Sequence, residues 1–297
     1  MMKMKSIMCA VACAAFTLVS CDQIDENDRY LYYDAGVPSA PDDEGDGVTR
    51  PTSVQRGVLI EDFTGQRCVN CPNAVPVINR LEASYGSKIV PVAVHSGLVY
   101  PAETFGDWAL QTPEGEQYYK DAGNPAQPSA RIGRTGSIFL VDMWTIQAQN
   151  ILRQQSPVWL NVTNAYDETT RKVSINVEAY GIDAAAGNIQ LWLIEDGIVA
   201  PQMMPDGSTE IGYVHNHVFR AAVNGTYGVP FAISKGEDKT VTAEAVLSDK
   251  WVAENMSVVA FIYNGDGVVH VVKKAVMGGD DDESDDDAIA GDAATEE

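Results

Sequence analysis

Apolar and polar positions along this chain follow two different rhythms. Between residues 55 and 153, short apolar runs alternate with segments whose apolar positions recur every three or four residues. Gly57-Val58-Leu59-Ile60 reads as a strand, and Val77, Ile78, Leu81 and Tyr85 fall on one face of a helix that stops at Gly86. Residues 89–94 read as a second strand, 112–122 as partly helical, 130–134 and 138–141 as short strands, and 144–153 as a closing helix. From 157 to 277 the pattern changes. Residues 158–162, 173–177, 189–193, 241–246, 258–263 and 268–272 alternate or run apolar, separated by turns rich in Gly, Asp and Asn, of which Asn264-Gly265-Asp266-Gly267 is the clearest hairpin. Short strands at such spacing, with no helices between them, predict an all-β, immunoglobulin-like sandwich domain.

The first twenty residues have a third pattern. Lys3 and Lys5 precede an apolar stretch of about thirteen residues, too short to span a bilayer comfortably but suited to a signal peptide over 1–20. Leu18-Val19-Ser20-Cys21 resembles a bacterial lipobox, which implies cleavage before Cys21 and a lipid on that residue; several acyl chains on one residue anchor stably. An uncleaved or ordinarily cleaved signal with an incidental cysteine is the alternative. Residues 22–46 carry nine carboxylates and 280–297 carry ten, with too little apolar content to fold. The chain therefore divides into a signal peptide (1–20), an acidic tether (21–54), two folded domains (55–153 and 157–277) and an acidic tail (278–297). The net charge of −22, with no basic cluster, argues against nucleic acid as a partner.

Chemistry concentrates at Cys68-Val69-Asn70-Cys71. The pair sits between the 57–60 run and the 77–85 helix, where free N–H groups and the helix dipole stabilise a thiolate. Cys9 and Cys13 leave with the signal and Cys21 takes the lipid, so Cys68 and Cys71 are the thiols of the mature chain. A loop this short constrains the unfolded chain little, which disfavours a structural staple. Zinc is poorly supported, since His95 is the one obvious third ligand and a structural site wants four. Asp62-Phe63 before the pair, Pro76 five residues after Cys71, and the strand that follows the helix resemble thioredoxin over about forty residues. That resemblance implies an α/β thioredoxin-like domain with Cys68 as attacking thiol, Cys71 as resolving thiol, Asp62 as a buried proton acceptor, and a cis-proline facing the pair, at Pro128 or secondarily Pro125. Arg67 replaces the Trp of thioredoxin and Val-Asn replaces Gly-Pro. Arg67 would lower the Cys68 pKa, and His95 would assist proton transfer or simply cap its strand.

His215 and His217 alternate as if on one strand face, but with no third ligand they read as packing groups and not as a metal site. No phosphate loop, catalytic triad or carboxylate pair stands out, and no cofactor is expected. Residues 61–72, His95, 128–134 and 213–220 together resemble the outer-membrane-protein-28-related lipoproteins of Bacteroidota. The resemblance implies a lipid-anchored outer-membrane protein that faces the periplasm or the cell surface, with a thioredoxin-like half and a β-sandwich half. Two functions remain open: thiol–disulfide exchange on exported proteins, or a non-catalytic binding or adhesion role with the fold as scaffold.

Overall fold

The computed structural model describes residues 50–277. The signal segment, Cys21, nearly all of the tether and the 278–297 tail lie outside the described residues.

Strand β1 (Val58–Thr64) and strand β2 (Ile89–His95) run parallel, in register from Val58↔Ile89 to Thr64↔His95. Both are buried along their whole length, as a parallel pair covered on two faces should be. Helix α1 (Val75–Tyr85) makes the crossover between them and ends at Gly86, whose φ of 54° suits glycine. A single turn, α2 (Ala102–Phe105), and helix α3 (Pro113–Asp121) follow. The start of α3 is fixed locally: the Thr112 hydroxyl accepts a hydrogen bond from the Gly115 N–H, Pro113 opens the helix, and Glu114 and Glu116 sit in its first turn. Strands β3 (Ser129–Ile132) and β4 (Ile138–Leu140) then add antiparallel beside β1, and helix α4 (Trp144–Leu152) packs with α1 on one face of the sheet. Ile78, Leu81, Trp144 and Ala148 meet Val58, Ile60, Ala130 and Ile132 there.

The later strands divide between two sheets. Strands β5 (Val158–Asp167), β6 (Lys172–Gly181) and β14 (Asp238–Val246) form a three-stranded antiparallel sheet in the order β14-β6-β5. Strands β7 (Ala185–Glu195), β12 (Val218–Ala222), β15 (Met256–Asn264) and β16 (Gly267–Ala275) instead extend the first sheet, in the order β16-β15-β7-β12-β2-β1-β3-β4. Strand β13 (Val229–Ile233) joins through the first half of β7. The joint between early and late strands is narrow. β12 meets β2 in parallel at Val218↔Ala93, and the Ala93 N–H donates to the His217 carbonyl at 2.7 Å. The pairing covers an edge that β2 would otherwise expose.

Alternation along β7 and β15 explains why both read as near-continuous apolar runs. Ile189, Leu191, Leu193, Val258, Ala260 and Ile262 face the three-stranded sheet and its Leu160, Val162, Ile175 and Val177. Trp192, Ile194, Val259 and Phe261 face the other way, into a core shared with Phe63, Val92 and Tyr118. Trp192 stacks edge-on against Phe219 (5.2 Å) and Phe261 (4.8 Å), and its indole N–H donates to the Tyr118 hydroxyl at 3.1 Å. The early and late segments therefore share one hydrophobic core. Phe261→Ala should cost about 3–5 kcal/mol. Urea unfolding followed by circular dichroism and by tryptophan fluorescence should give coincident curves; separated transitions would show that the segments unfold independently.

Candidate functional site

Two consecutive carboxylates on β1 point to opposite faces of the sheet, because side chains alternate along a strand. Glu61 is fully buried and is gripped by two arginines. Arg131, opposite it across the β1–β3 ladder, donates Nε to Oε2 (2.9 Å) and Nη2 to Oε1 (2.7 Å); Arg134 donates in the same way at 3.1 and 2.9 Å. Burial alone would raise the Glu61 pKa, but the charges and hydrogen bonds of Arg131 and Arg134 outweigh it and hold the carboxyl at about 2. Asp62 faces the α1 side and has no such partner. Its Oδ1 is buried without a hydrogen bond, and desolvation pushes its pKa up to about 8. At neutral pH Asp62 is a protonated acid.

Above Asp62 the chain turns at Gly65, where a Cβ would run into the Leu98 carbonyl that accepts the Arg67 N–H at 2.9 Å. Cys68 and Cys71 are disulfide-bonded, with Cα atoms 5.4 Å apart. Helical structure starts at Cys71, in a 3₁₀ turn (Cys71–Ala74) that leads into α1, so Cys68 lies in the loop one turn ahead of the helix. Arg67 is exposed and His95 is buried at the end of β2. The Gln127–Pro128 bond is cis, and it places Pro128 directly before the β3 residue Ser129, which pairs with Phe63. Asp62, Cys71 and His95 line one cavity of about 60 Å³, room for a few waters; Arg67, Cys68 and Pro128 lie outside its lining.

The rest of that cavity's wall comes from far along the chain. Residues 196–217, between β7 and β12, form a strap that carries four two-residue strands: β8 (Ile198–Val199), β9 (Gln202–Met203), β10 (Thr209–Glu210) and β11 (Val214–His215). Gln202 donates Nε2 to the Cys68 carbonyl at 3.0 Å and to the Gly65 carbonyl at 3.4 Å, and the Met203 N–H donates to the Gln66 carbonyl at 2.8 Å. Gln66, fully buried, donates in turn to the Trp108 and Pro201 carbonyls and accepts from the Leu110 N–H. Under this cover Cys68 is 3% and Cys71 4% exposed.

His215 sits at the inner face of the strap, with Nδ1 3.3 Å from Nε2 of His95. Burial holds the His215 pKa down at about 4, and burial, then the charge of His215, holds His95 well below its ordinary value. Both rings are neutral at neutral pH. The sequence reading put His215 and His217 on one strand face, but β11 ends at His215. His217 has φ of 57° and turns to Asp196 (3.2 Å) and Glu82 (3.3 Å). Among the described residues no three His, Cys, Asp or Glu side chains cluster as a metal would require.

Sequence reasoning missed the Glu61 ion pairs, Gln66 and Gln202. A charged residue inside an otherwise apolar strand was a signal for Glu61. Nothing local marks Gln202, which is 134 residues from the cysteine it caps.

The sequence model of the family described as outer membrane protein Omp28 matches residues 115–280. No curated protein matches the chain. Among solved structures, HBP35 of Porphyromonas gingivalis shares the fold with a TM-score of 0.60 at 15% identity, covering 82% of this chain and 80% of its own. A domain of the outer membrane lipoprotein Omp28 from Porphyromonas gingivalis is 24% identical over 41% of this chain and 88% of its own, with a TM-score of 0.30. Protein AGR_C_4864 from Agrobacterium tumefaciens is 16% identical over 76% of this chain and 97% of its own, with a TM-score of 0.46.

The raised Asp62 pKa has a consequence for stability. Between the ordinary carboxylate value near 3.8 and about 8, the native state holds a proton that the unfolded state has lost, so stability falls as pH rises through this window and is flat above it. Asp62→Asn cannot titrate. Its stability relative to wild type should climb from about pH 4 to about pH 8, by on the order of a few kcal/mol. Denaturation at the two pH values measures the change, and an equal difference at both would show Asp62 to be ionised in the fold.

Proposed function

The chain belongs to the Omp28 family of outer membrane proteins, and from that premise we propose a lipid-anchored thiol–disulfide exchange protein of the outer membrane with a covered redox site. In this reading Cys21 carries the lipid, residues 55–153 form the thioredoxin-like half, and residues 157–277 form the immunoglobulin-like half. The latter lends its strap to the site. The substrates are thiols or disulfides of exported proteins.

One observation carries the reading: a buried, unpaired, protonated carboxyl shares a cavity with Cys71 of the disulfide. An unpaired polar group is costly to bury, and Asp62 makes no structural bond through Oδ1 that would offset the cost. It is suited instead to proton transfer. From the oxidised state, a client thiolate attacks Sγ of Cys68, the Cys68–Cys71 bond breaks, and Cys71 leaves as a thiolate that takes the proton of Asp62. A second client thiolate then attacks the client sulfur of the mixed disulfide, Cys68 leaves as a thiolate, and Cys68 and Asp62 take up from solvent the two protons that the client thiols released. The client dithiol is oxidised to a disulfide and the protein disulfide is reduced to a dithiol. Run backwards, the same steps reduce a client, with Asp62 accepting the Cys71 proton.

At 3% and 4% exposure the cysteines are beyond the reach of a protein thiol while the strap is down. The exchange reading therefore requires residues 196–217 to lift. The same burial favours the second reading, a non-catalytic binding lipoprotein that retains the fold and an inert disulfide.

Gln202→Ala separates the two. Loss of its bonds to the Cys68 and Gly65 carbonyls weakens the closed strap by about 1–2 kcal/mol, so a dithiol peptide should reduce the variant about five- to thirtyfold faster than wild type. Quenched-flow alkylation of full-length protein measures the rate. Equal rates, together with a reduction potential below about −300 mV, would mark a structural bridge and leave the scaffold reading.

A further inference from the structure

On the opposite face of β1 from the cysteines lies a second cavity, of about 210 Å³. Its floor holds Arg131 and Arg134; Tyr118 and Asp121 of α3, Tyr227 and Tyr263 form the walls. We propose that it is a binding site for a carboxylate carried on a small aromatic or apolar body, about the size of an amino acid.

Charge is the first argument. Two guanidiniums share the single carboxylate of Glu61, and their four hydrogen bonds saturate its oxygens. Each guanidinium uses Nε and Nη2 for this, and its Nη1 has no protein acceptor among the described residues. The two arginines carry one positive charge more than Glu61; Asp121 on the wall offsets part of it, its charge acting on Arg131 from beyond ion-pair distance. Asp121, the acid of the wall, makes no ion pair with either arginine. Its Oδ1 accepts from Gln117 and its Oδ2 from the Tyr227 hydroxyl, each at 2.8 Å.

Preorganisation is the second. Glu61 is fully buried and fixes both planar forks before any ligand arrives. Arg134 is further held against aromatic faces, its guanidinium carbon 4.4 Å from the Tyr263 ring centre and 4.9 Å from that of Phe261. A carboxylate entering here would meet guanidinium donors already ordered, so little side-chain entropy is lost on binding. The tyrosine walls supply apolar contact for the body of the ligand, and the Tyr263 hydroxyl, engaged by the Tyr227 carbonyl at 2.7 Å, ties the two rim residues together.

This chemistry fits a free aromatic acid or the C-terminal carboxylate of a peptide, and calorimetry on the full-length protein distinguishes them. The probes are benzoate, acetyl-glycyl-phenylalanine, and the same dipeptide as its C-terminal amide. Benzoate should bind, with affinity falling as salt rises, and the amide should not. Binding of the acid dipeptide as well would extend the site to peptide C-termini; binding of benzoate alone would restrict it to free acids. Arg131→Lys keeps a charge near Glu61 but loses the fork, and should weaken benzoate at least about tenfold. Since that variant also touches a buried pair, Asp121→Asn is the independent check: removing a wall charge of the ligand's own sign should tighten benzoate several-fold. No binding at millimolar benzoate, binding of the amide as well as of the acid, or an Asp121→Asn variant that binds no better than wild type would overturn the proposal.

Discussion

Strands β7 and β15 have no solvent face along most of their length, and the architecture depends on that. One set of their side chains closes the core against the three-stranded sheet; the alternate set closes the core around Trp192, Phe261, Tyr118 and Phe63. Tyr118 links the two segments through polar bonds as well, accepting from the Trp192 indole and donating to the Thr226 carbonyl at 2.5 Å. A pleated strand can serve two cores at once only if both of its alternating sets are apolar. That condition places the late strands beside β2, and the placement brings the 196–217 strap over the cysteine loop.

The same alternation gives β1 its chemical division of labour. Glu61 and Asp62 are neighbours in sequence with nearly identical side chains, yet one is held at about 2 and the other at about 8. The difference lies in what each face offers: two guanidiniums on one side, and a cavity lined by no Lys or Arg on the other. A single strand thus keeps a permanent anion and a neutral acid in adjacent positions.

Much of the local structure was legible in the sequence. The apolar run before the cysteines, the one-face pattern through Ile78 and Leu81, and the Asn264–Gly267 turn all correspond to observed elements, because each rests on periodicity or turn chemistry within a few residues. Pairing partners were less legible. A period of two states that a strand is half buried or buried, but not beside what, and the β12–β2 joint rests on one residue pair between segments 125 positions apart. The path of the strap left little signal beyond the resemblance carried by residues 213–217. Its strands are two residues long, too short for any period, and its hold on the site runs through glutamine side chains and backbone carbonyls that no local pattern marks. His217 shows the same limit: alternation predicted its direction only on the assumption of a continuing strand, and a positive φ ended that strand.

The strap connects β7 to β12, which are immediate neighbours in the sheet. A short turn would suffice to join them, so the length of residues 196–217 is surplus to the framework. Its outer tip, residues 205–212, is exposed. Insertions and deletions at that tip leave every strand pairing of the large sheet unchanged. Related chains can therefore vary the cover of the disulfide by loop exchange alone, while the strand pairings of the large sheet stay as they are.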